Sequence, residues 1–176
     1  MAWIDLKDIL QHTVSSVYGD LVTRPTGQAV RTSIEALLPA ADEDLAIIDF
    51  STVRLMDFSC ADEIVGKLLL RYGRARYFLL VGVHPGHEDA IEPVLERHRL
   101  AVVAQDRSGS LKLLGAMPEH ARQAFTVLAD SGPALLADVA AKLALSPDTA
   151  REALEVLRER HVVRESGGHY QAVRSA

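Results

Sequence analysis

Residues 45–63, LAIIDFSTVRLMDFSCADE, contain the pattern that decides the fold of the first half of the chain. The stretch opens with an apolar run from Leu45 to Phe50, which is typical of a buried strand, and continues into helical spacing. One helical face at i, i+3, i+4 and i+7 is formed by Ala61, Ile64, Val65 and Leu68. The sequence therefore predicts a strand, a short connection and a helix that packs on a sheet.

The flanking sequence repeats this alternation of strand-like runs and helical stripes up to about residue 115. The remaining strand-like runs are 77–83, 100–104 and 111–114, and the remaining stripes are Val30, Ile34, Leu37 and Leu38, then Ile91, Val94, Leu95 and His98. Such alternation indicates an α/β sheet with helices on its faces. Pro25 suits the start of the first of these helices and Pro39 suits its end.

Beyond Gly115 the pattern changes to three closely spaced helical stripes and a hairpin. The stripes are Ala121, Ala124, Phe125 and Leu128; Leu136, Val139, Ala140 and Leu143; and Ala150, Ala153, Leu154 and Leu157. Ser146 is the expected N-cap of the third helix, with Pro147 at its first position. Two short strands flank Gly167 and Gly168, which supply the positive φ angles of a tight turn. We expect two domains, 1–115 of α/β (α+β) type and 118–176 mainly helical with a β-hairpin.

Composition and charge limit the class of protein. The chain has 176 residues, 48% of them hydrophobic and 24% charged, which is typical of a folded globular protein. Its net charge is −5, so binding to nucleic acid requires a local basic patch. The acidic start and the lack of any apolar run of membrane-spanning length predict a cytoplasmic protein without a membrane partner. The single cysteine, Cys60, excludes an intramolecular disulfide and a cysteine-cluster metal site.

Residues 118–173 resemble a winged helix-turn-helix. The resemblance implies that the third helix, 146–160, enters the major groove of double-stranded DNA and that the hairpin is the wing. The candidate DNA-binding residues are Thr149, Arg151, Arg158, Arg164 and His169. Four of the seven outward positions of that helix are acidic, and the whole segment carries seven basic and eight acidic residues. DNA binding and a role as a protein-docking or homodimerisation module therefore both stay open.

Residues 1–115 resemble STAS domains, the family of sulfate transporters and anti-sigma-factor antagonists. The segment 53–60, VRLMDFSC, corresponds to the family pattern V-x-x-M/I-D-S-S-G, with Phe58 in place of the first serine and Cys60 in place of the glycine. The sequence ADE at 61–63 and the arginine-containing stretch 21–31 are closer to a STAS-like subgroup with a DFS…FADE pattern. The resemblance implies sensing or partner switching with a protein regulator, such as a histidine-kinase-like ATPase or an anti-sigma factor.

The same resemblance places Ser59 at the regulatory phosphorylation position, with Asp57, Ser59, Asp62 and Glu63 as candidate partner-binding residues. A phosphate at Ser59 would gain from the helix N-terminus but would be repelled by the three nearby carboxylates. The simpler interpretation is that Ser59 is the N-cap of the helix, accepting a hydrogen bond from the Asp62 amide. The two interpretations are compatible.

The remaining polar clusters predict structure rather than chemistry. Asp49 and Asp57 suit turns and caps, and the segment 84–89, HPGHED, suits a turn followed by a helix start rather than a metal site. The basic cluster at Arg71, Arg74 and Arg76 suits a solvated helix end, although phosphate or an acidic partner is an alternative. No motif for phosphate cradling, acyl transfer, zinc proteolysis or dinucleotide binding occurs, so we expect neither an enzyme nor a bound metal or cofactor.

Overall fold

The computed structural model describes residues 1–13, 19–38 and 44–175, without the Thr13 side chain. The elements in chain order are β1 (Ala2–Asp5), α1 (Leu6–Thr13), β2 (Asp20–Leu21), α2 (Arg24–Leu37), β3 (Leu45–Asp49), β4 (Leu55–Met56), α3 (Phe58–Ala61), a π-helical turn (Asp62–Lys67), α4 (Leu68–Tyr72), β5 (Tyr77–Val81), α5 (Pro85–His98), β6 (Ala101–Gln105), β7 (Leu111–Gly115), α6 (Glu119–Ser131), β8 (Ala134–Leu135), α7 (Leu136–Leu143), α8 (Pro147–Glu159), β9 (Val163–Ser166) and β10 (His169–Ala172).

A five-stranded mixed sheet forms the centre of the molecule, so the fold is mixed α/β. Its strand order is β1-β3-β5-β6-β7, in which the first four strands run parallel and β7 is antiparallel to β6. Along β3, Ala46 and Ile48 belong to one apolar cluster, while Leu45 and Ile47 belong to another. Because successive strand residues point to opposite faces, the sheet is buried on both sides.

Helices α1 to α5 cover the first face of the sheet. The three segments α3, the π-helical turn and α4 follow one another without a break as one composite helix. This composite helix packs between α2 and α5. Five successive residues of the π-helical turn are buried, namely Asp62, Glu63, Ile64, Val65 and Gly66. An amphipathic α-helix would leave part of such a stretch exposed, so this turn is enclosed by its neighbours.

The C-terminal segment covers the second face. Its helices and a small sheet of order β8-β10-β9 pack together. Phe125 of α6 and Leu154 of α8 belong to the same apolar cluster as Ile47 of β3 and Leu79 of β5. The segments on either side of the connection from Gly115 to Glu119 therefore share one hydrophobic core.

Most predicted elements are confirmed, with small shifts at their ends. The four strand-like runs form β3, β5, β6 and β7, and the hairpin turns at Gly167 and Gly168 with φ of +57° and +81°. Pro25 lies in the first turn of α2, whereas Pro39, the expected end of that helix, is outside the described residues. The sequence pattern does not predict β1, α1 or the two-residue strands β2, β4 and β8.

In the described part of the chain, no helix has the length and apolar character needed to cross a membrane.

Candidate functional site

The start of the composite helix is capped by Asp57. Its carboxylate accepts hydrogen bonds from the Cys60 amide at 2.8 Å and the Ser59 hydroxyl at 2.9 Å. Burial would raise the pKa of Asp57, but these hydrogen bonds outweigh it and lower the pKa. The prediction that Ser59 is the N-cap is therefore wrong: the helix begins earlier, at Phe58, and the stronger acceptor occupies the cap.

Cys60 lies directly behind this cap and is fully buried. Its thiol donates a hydrogen bond to the Thr23 carbonyl at 3.1 Å. Burial, together with the nearby Asp57 carboxylate, raises the pKa of the thiol to about 11. Cys60 therefore packs in the core, because the thiolate needed for nucleophilic chemistry is disfavoured.

Asp62 and Glu63 lie in the interior and form the centre of a charge cluster with Arg31 and the partly exposed Arg24 and Lys67. We call it the buried charge cluster because both of its carboxylates are buried. Arg24 donates to Asp62 at 2.9 Å and to Glu63 at 2.8 Å, and Arg31 donates to Glu63 at 3.2 Å. Lys67 also pairs with Glu63. Burial would raise the pKa of both carboxyl groups, yet the cationic partners lower them, so both stay ionised.

The close approach of α2 to the composite helix makes this cluster possible. A Cβ atom at Gly27 would lie 2.9 Å from the Cα of Cys60 and 3.1 Å from the Cβ of Glu63, so only glycine fits. The ion pairs of Arg24 and Arg31 with Asp62 and Glu63 were not predicted from the sequence. A usable signal was present, because Arg24 and Arg31 are seven residues apart and share a helix face on either side of Gly27.

The predicted partner-binding residues are thus divided between surface and interior. Asp57 and Ser59 are partly exposed, whereas Asp62 and Glu63 are buried, with 8% and 2% of their surface accessible. Two large exposed apolar side chains, Leu55 and Phe58, flank the helix start. A partner approaching this surface would meet the cap and these apolar groups, not the buried carboxylates.

The outward face of α8 carries alternating charges. Arg151 pairs with Asp148 at 3.1 Å, and Arg158 pairs with Glu155 at 2.7 Å. The pKa of Arg158 is raised by its hydrogen bond and charge interaction with Glu155. The predicted N-cap is confirmed, since Ser146 accepts from the Thr149 amide, and the two hydroxyl groups lie 2.9 Å apart.

The β9–β10 hairpin divides the other two candidate DNA-binding residues. His169 is exposed beside the turn, and its ring lies 3.3 Å from the Gly167 carbonyl. Arg164 instead contacts the first half of the chain. Its guanidinium donates to Asp44 at 3.0 Å and lies over the Tyr77 ring at 4.6 Å. Thr149, Arg151, Arg158 and His169 are at least partly exposed, whereas Arg164 is engaged within the protein.

The predicted turn and helix-end residues form hydrogen bonds within the protein. Asp49 accepts from the Ser51 amide, and Arg71 donates to Glu35. His84 is the N-cap of α5 and stacks on His87, which is buried and whose Nε2 lies 3.0 Å from the Val53 carbonyl. Among the residues described, no three histidine, cysteine or acidic side chains are grouped as a metal site would require.

Comparison with known proteins provides no assignment: no protein-family model matches this chain, and no curated protein matches its sequence.

Proposed function

We propose that this chain is a non-enzymatic regulatory protein of bacterial type that acts in the cytoplasm. In this proposal, a STAS-like first half senses a signal or switches protein partners, and a winged helix in the second half binds DNA to control transcription. The observation that carries the proposal is the order helix, strand, two helices and two strands in the C-terminal segment, with the sheet order β8-β10-β9. That order is typical of winged helix-turn-helix proteins, and in this proposal α8 corresponds to their recognition helix.

The outward face of α8 is compatible with DNA binding despite its acids. The side chains of Arg151 and Asp148 are 59% and 89% exposed, and those of Arg158 and Glu155 are 47% and 40% exposed. Exposed ion pairs of this kind contribute about 0–1 kcal/mol, so a DNA phosphate can replace the carboxylate as partner at small cost. The acids then act mainly against non-specific binding, because they repel phosphates that are out of register.

The test of this proposal is the binding of fluorescently labelled genomic duplex fragments, measured by anisotropy over a salt series. Thr149→Ala and Arg151→Gln should weaken binding, and Arg151→Gln should reduce the salt slope by about 1. Arg97→Gln, which removes an exposed arginine from α5, is the matched control and should leave the slope unchanged. Absence of duplex binding at low salt, or equal loss in the control, contradicts DNA binding by α8. Point substitutions are preferable to removing 118–176, which would expose the apolar second face of the sheet.

A docking or homodimerisation module is the alternative function, favoured by the four acids of α8 and by the use of Arg164 in an internal contact. Leu135, which is 42% exposed, lies beside the hairpin turn at Gly168 and offers an apolar contact. Under this alternative the full-length chain should self-associate in sedimentation experiments, and Leu135→Ser should weaken the association. A monomer at every concentration would argue against dimerisation.

Partner switching in the first half depends on the helix start. The Ser59 hydroxyl donates to Asp57, so a phosphate there would add about 1.5 to 2 negative charges directly against the capping carboxylate. We expect the cap to open, which would change the surface formed with Leu55 and Phe58. Ser59→Asp should speed amide exchange at Cys60 relative to Ser59→Ala, and equal exchange in both variants would count against a switch at this position.

A further inference from the structure

A groove of about 940 Å³ lies between the first half of the chain and the end of α8. Its floor includes Phe78 at the start of β5 and Val102 at the start of β6. Its rim carries the guanidinium-bearing residues Arg74, Arg76, Arg99, Arg158 and Arg160. A volume in this range is typical of sites for molecules of cofactor size.

The groove is positively charged although the whole chain has a net charge of −5. Among its described lining residues, Glu159 is the only carboxylate beside the five arginines, and one of these, Arg158, is paired with Glu155 outside the lining. The C-termini of α4, α5 and α8 also converge here, and each pole is equivalent to about half a negative charge. The negative helix poles explain why some of these arginines lie at helix ends. Their partial charges are too small to neutralise all five guanidinium groups.

Contacts between the two halves hold the groove in shape. Arg160 at the end of α8 donates to the Arg99 carbonyl at the end of α5. The His161 and Tyr77 rings lie 4.9 Å apart, at the junction of α8 with β5. Arg74 and Arg99 form no ion pair with any residue in the described ranges, so their charges are open to a ligand. The arginines are thus presented from several elements around a preformed recess.

We propose that this groove is a binding site for a small ligand that carries two or more phosphate groups. Phosphate is the partner that guanidinium groups bind by paired, charge-assisted hydrogen bonds. A compact polyphosphate matches arginines that converge on one recess, whereas a nucleic-acid duplex matches basic groups spread along a ridge or helix. The ligand would touch both halves of the chain. The proposal does not require DNA binding by α8, although Arg158 belongs both to the outward face of α8 and to the groove rim.

The experiment is a calorimetric titration of the full-length chain with inorganic tripolyphosphate at about physiological ionic strength, where weak surface attraction is screened. We expect saturable binding of one ligand per chain. Arg74→Gln combined with Arg99→Gln should weaken it about tenfold or more, because each substitution removes charge-assisted hydrogen bonds. Arg97→Gln, which removes an exposed arginine two residues before Arg99 and outside the groove lining, should change the affinity by less than about twofold.

Further measurements separate the outcomes. Thermal unfolding checks that each variant is folded, and Arg74→Gln alone replaces the double variant if the latter unfolds, with a loss of about threefold expected. Lack of saturation by tripolyphosphate overturns the proposal, as does an equal loss in Arg97→Gln. The last measurement is the titration of a short DNA duplex in the same way. If tripolyphosphate does not bind and the double variant loses duplex binding, the groove is a nucleic-acid surface and the proposal fails.

Discussion

The buried charge cluster of α2 and the composite helix differs from the charged face of α8 mainly in solvent access. Glu63 is 2% exposed and accepts hydrogen bonds from three cations, whereas Glu155 has a side chain 40% exposed and pairs with one. Both regions use arginine and glutamate on helices, yet they serve different purposes. A buried carboxylate such as Glu63 must be fully paired, and its ion pairs fix the packing of the helices. An exposed carboxylate such as Glu155 can exchange its partner for water or for another ion.

The largest expected effect comes from removing one carboxylate of the buried cluster. Glu63→Gln removes the carboxylate that Arg24, Arg31 and Lys67 share. Because Arg24 keeps Asp62 and Arg31 keeps Glu35, we expect the free energy of unfolding to fall by about 3 kcal/mol, the lower end of the range for a broken buried pair. Glu155→Gln on α8 is the matched control and should change stability by less than about 0.5 kcal/mol. Urea denaturation of both variants measures the difference, and equal values would remove the distinction between the two regions.

A second prediction concerns His87, which is buried and has no counter-charge among the residues that the structure describes. Burial is the main cause that lowers the pKa of His87 from 6.5 to about 4, and the charge of the neighbouring His84 contributes less. Because the folded state resists protonation, the unfolded chain binds the proton first, and stability falls as the pH drops from about 6.5 towards 4. We expect the free energy of unfolding to be about 2 kcal/mol lower at pH 5 than at pH 7.

Urea denaturation at several pH values between 5 and 7 tests this expectation, since the Asp62 and Glu63 carboxyl groups, with their lowered pKa values, lose their contribution only at lower pH. The His87→Gln variant can still donate to the Val53 carbonyl and should show a flatter pH profile. His120→Gln, at an exposed position of α6, should keep the slope of the parent chain. A parent profile without slope would show that His87 does not titrate as its burial requires.

The smallest effect tests how closely the helices around the buried cluster must approach. In Gly27→Ala, the added methyl group meets the Cys60 backbone at 2.9 Å and forces α2 outward. Overpacking of this kind costs about 1–3 kcal/mol, and the gain in helix propensity offsets about 1 kcal/mol, so a net loss of about 1 kcal/mol is expected. The exposed neighbour Gln28→Ala is the control for helix propensity and should not destabilise the protein. A stabilised Gly27→Ala variant would mean that the packing is looser than these distances indicate.

Elements with a strong period or a specific turn residue could be predicted from the sequence. The helical stripes at 121–128 and 150–157 are buried as expected, and Ser146, Gly167 and Gly168 act as cap and turn. Local chemistry decides these features, because caps and tight turns depend on residues within a few positions of one another. The short strand β1 was missed since its four residues carry no comparable pattern.

The candidate site was less predictable because its contacts connect distant residues. Asp62 and Glu63 lie 38 and 39 residues from Arg24, and no local rule brings them together. Four successive apolar residues in β3 do indicate that both faces of the sheet are buried. That signal indicates a cover without identifying it, and here the cover is the C-terminal segment.

The π-helical turn has a consequence for how the composite helix tolerates insertions and deletions. A π turn holds one residue more than an α-helical turn, so it resembles an inserted residue that the helix has absorbed locally. Deleting one residue between Asp62 and Lys67 would return this turn to ordinary α-helical winding and leave the segments on either side in nearly the same phase, with Leu68 and Leu69 still on the sheet. In an ordinary α-helix the same deletion would rotate all that follows by about 100° relative to what precedes. This turn is therefore the place where the composite helix can lose a residue without separating its apolar contacts from its ion pairs.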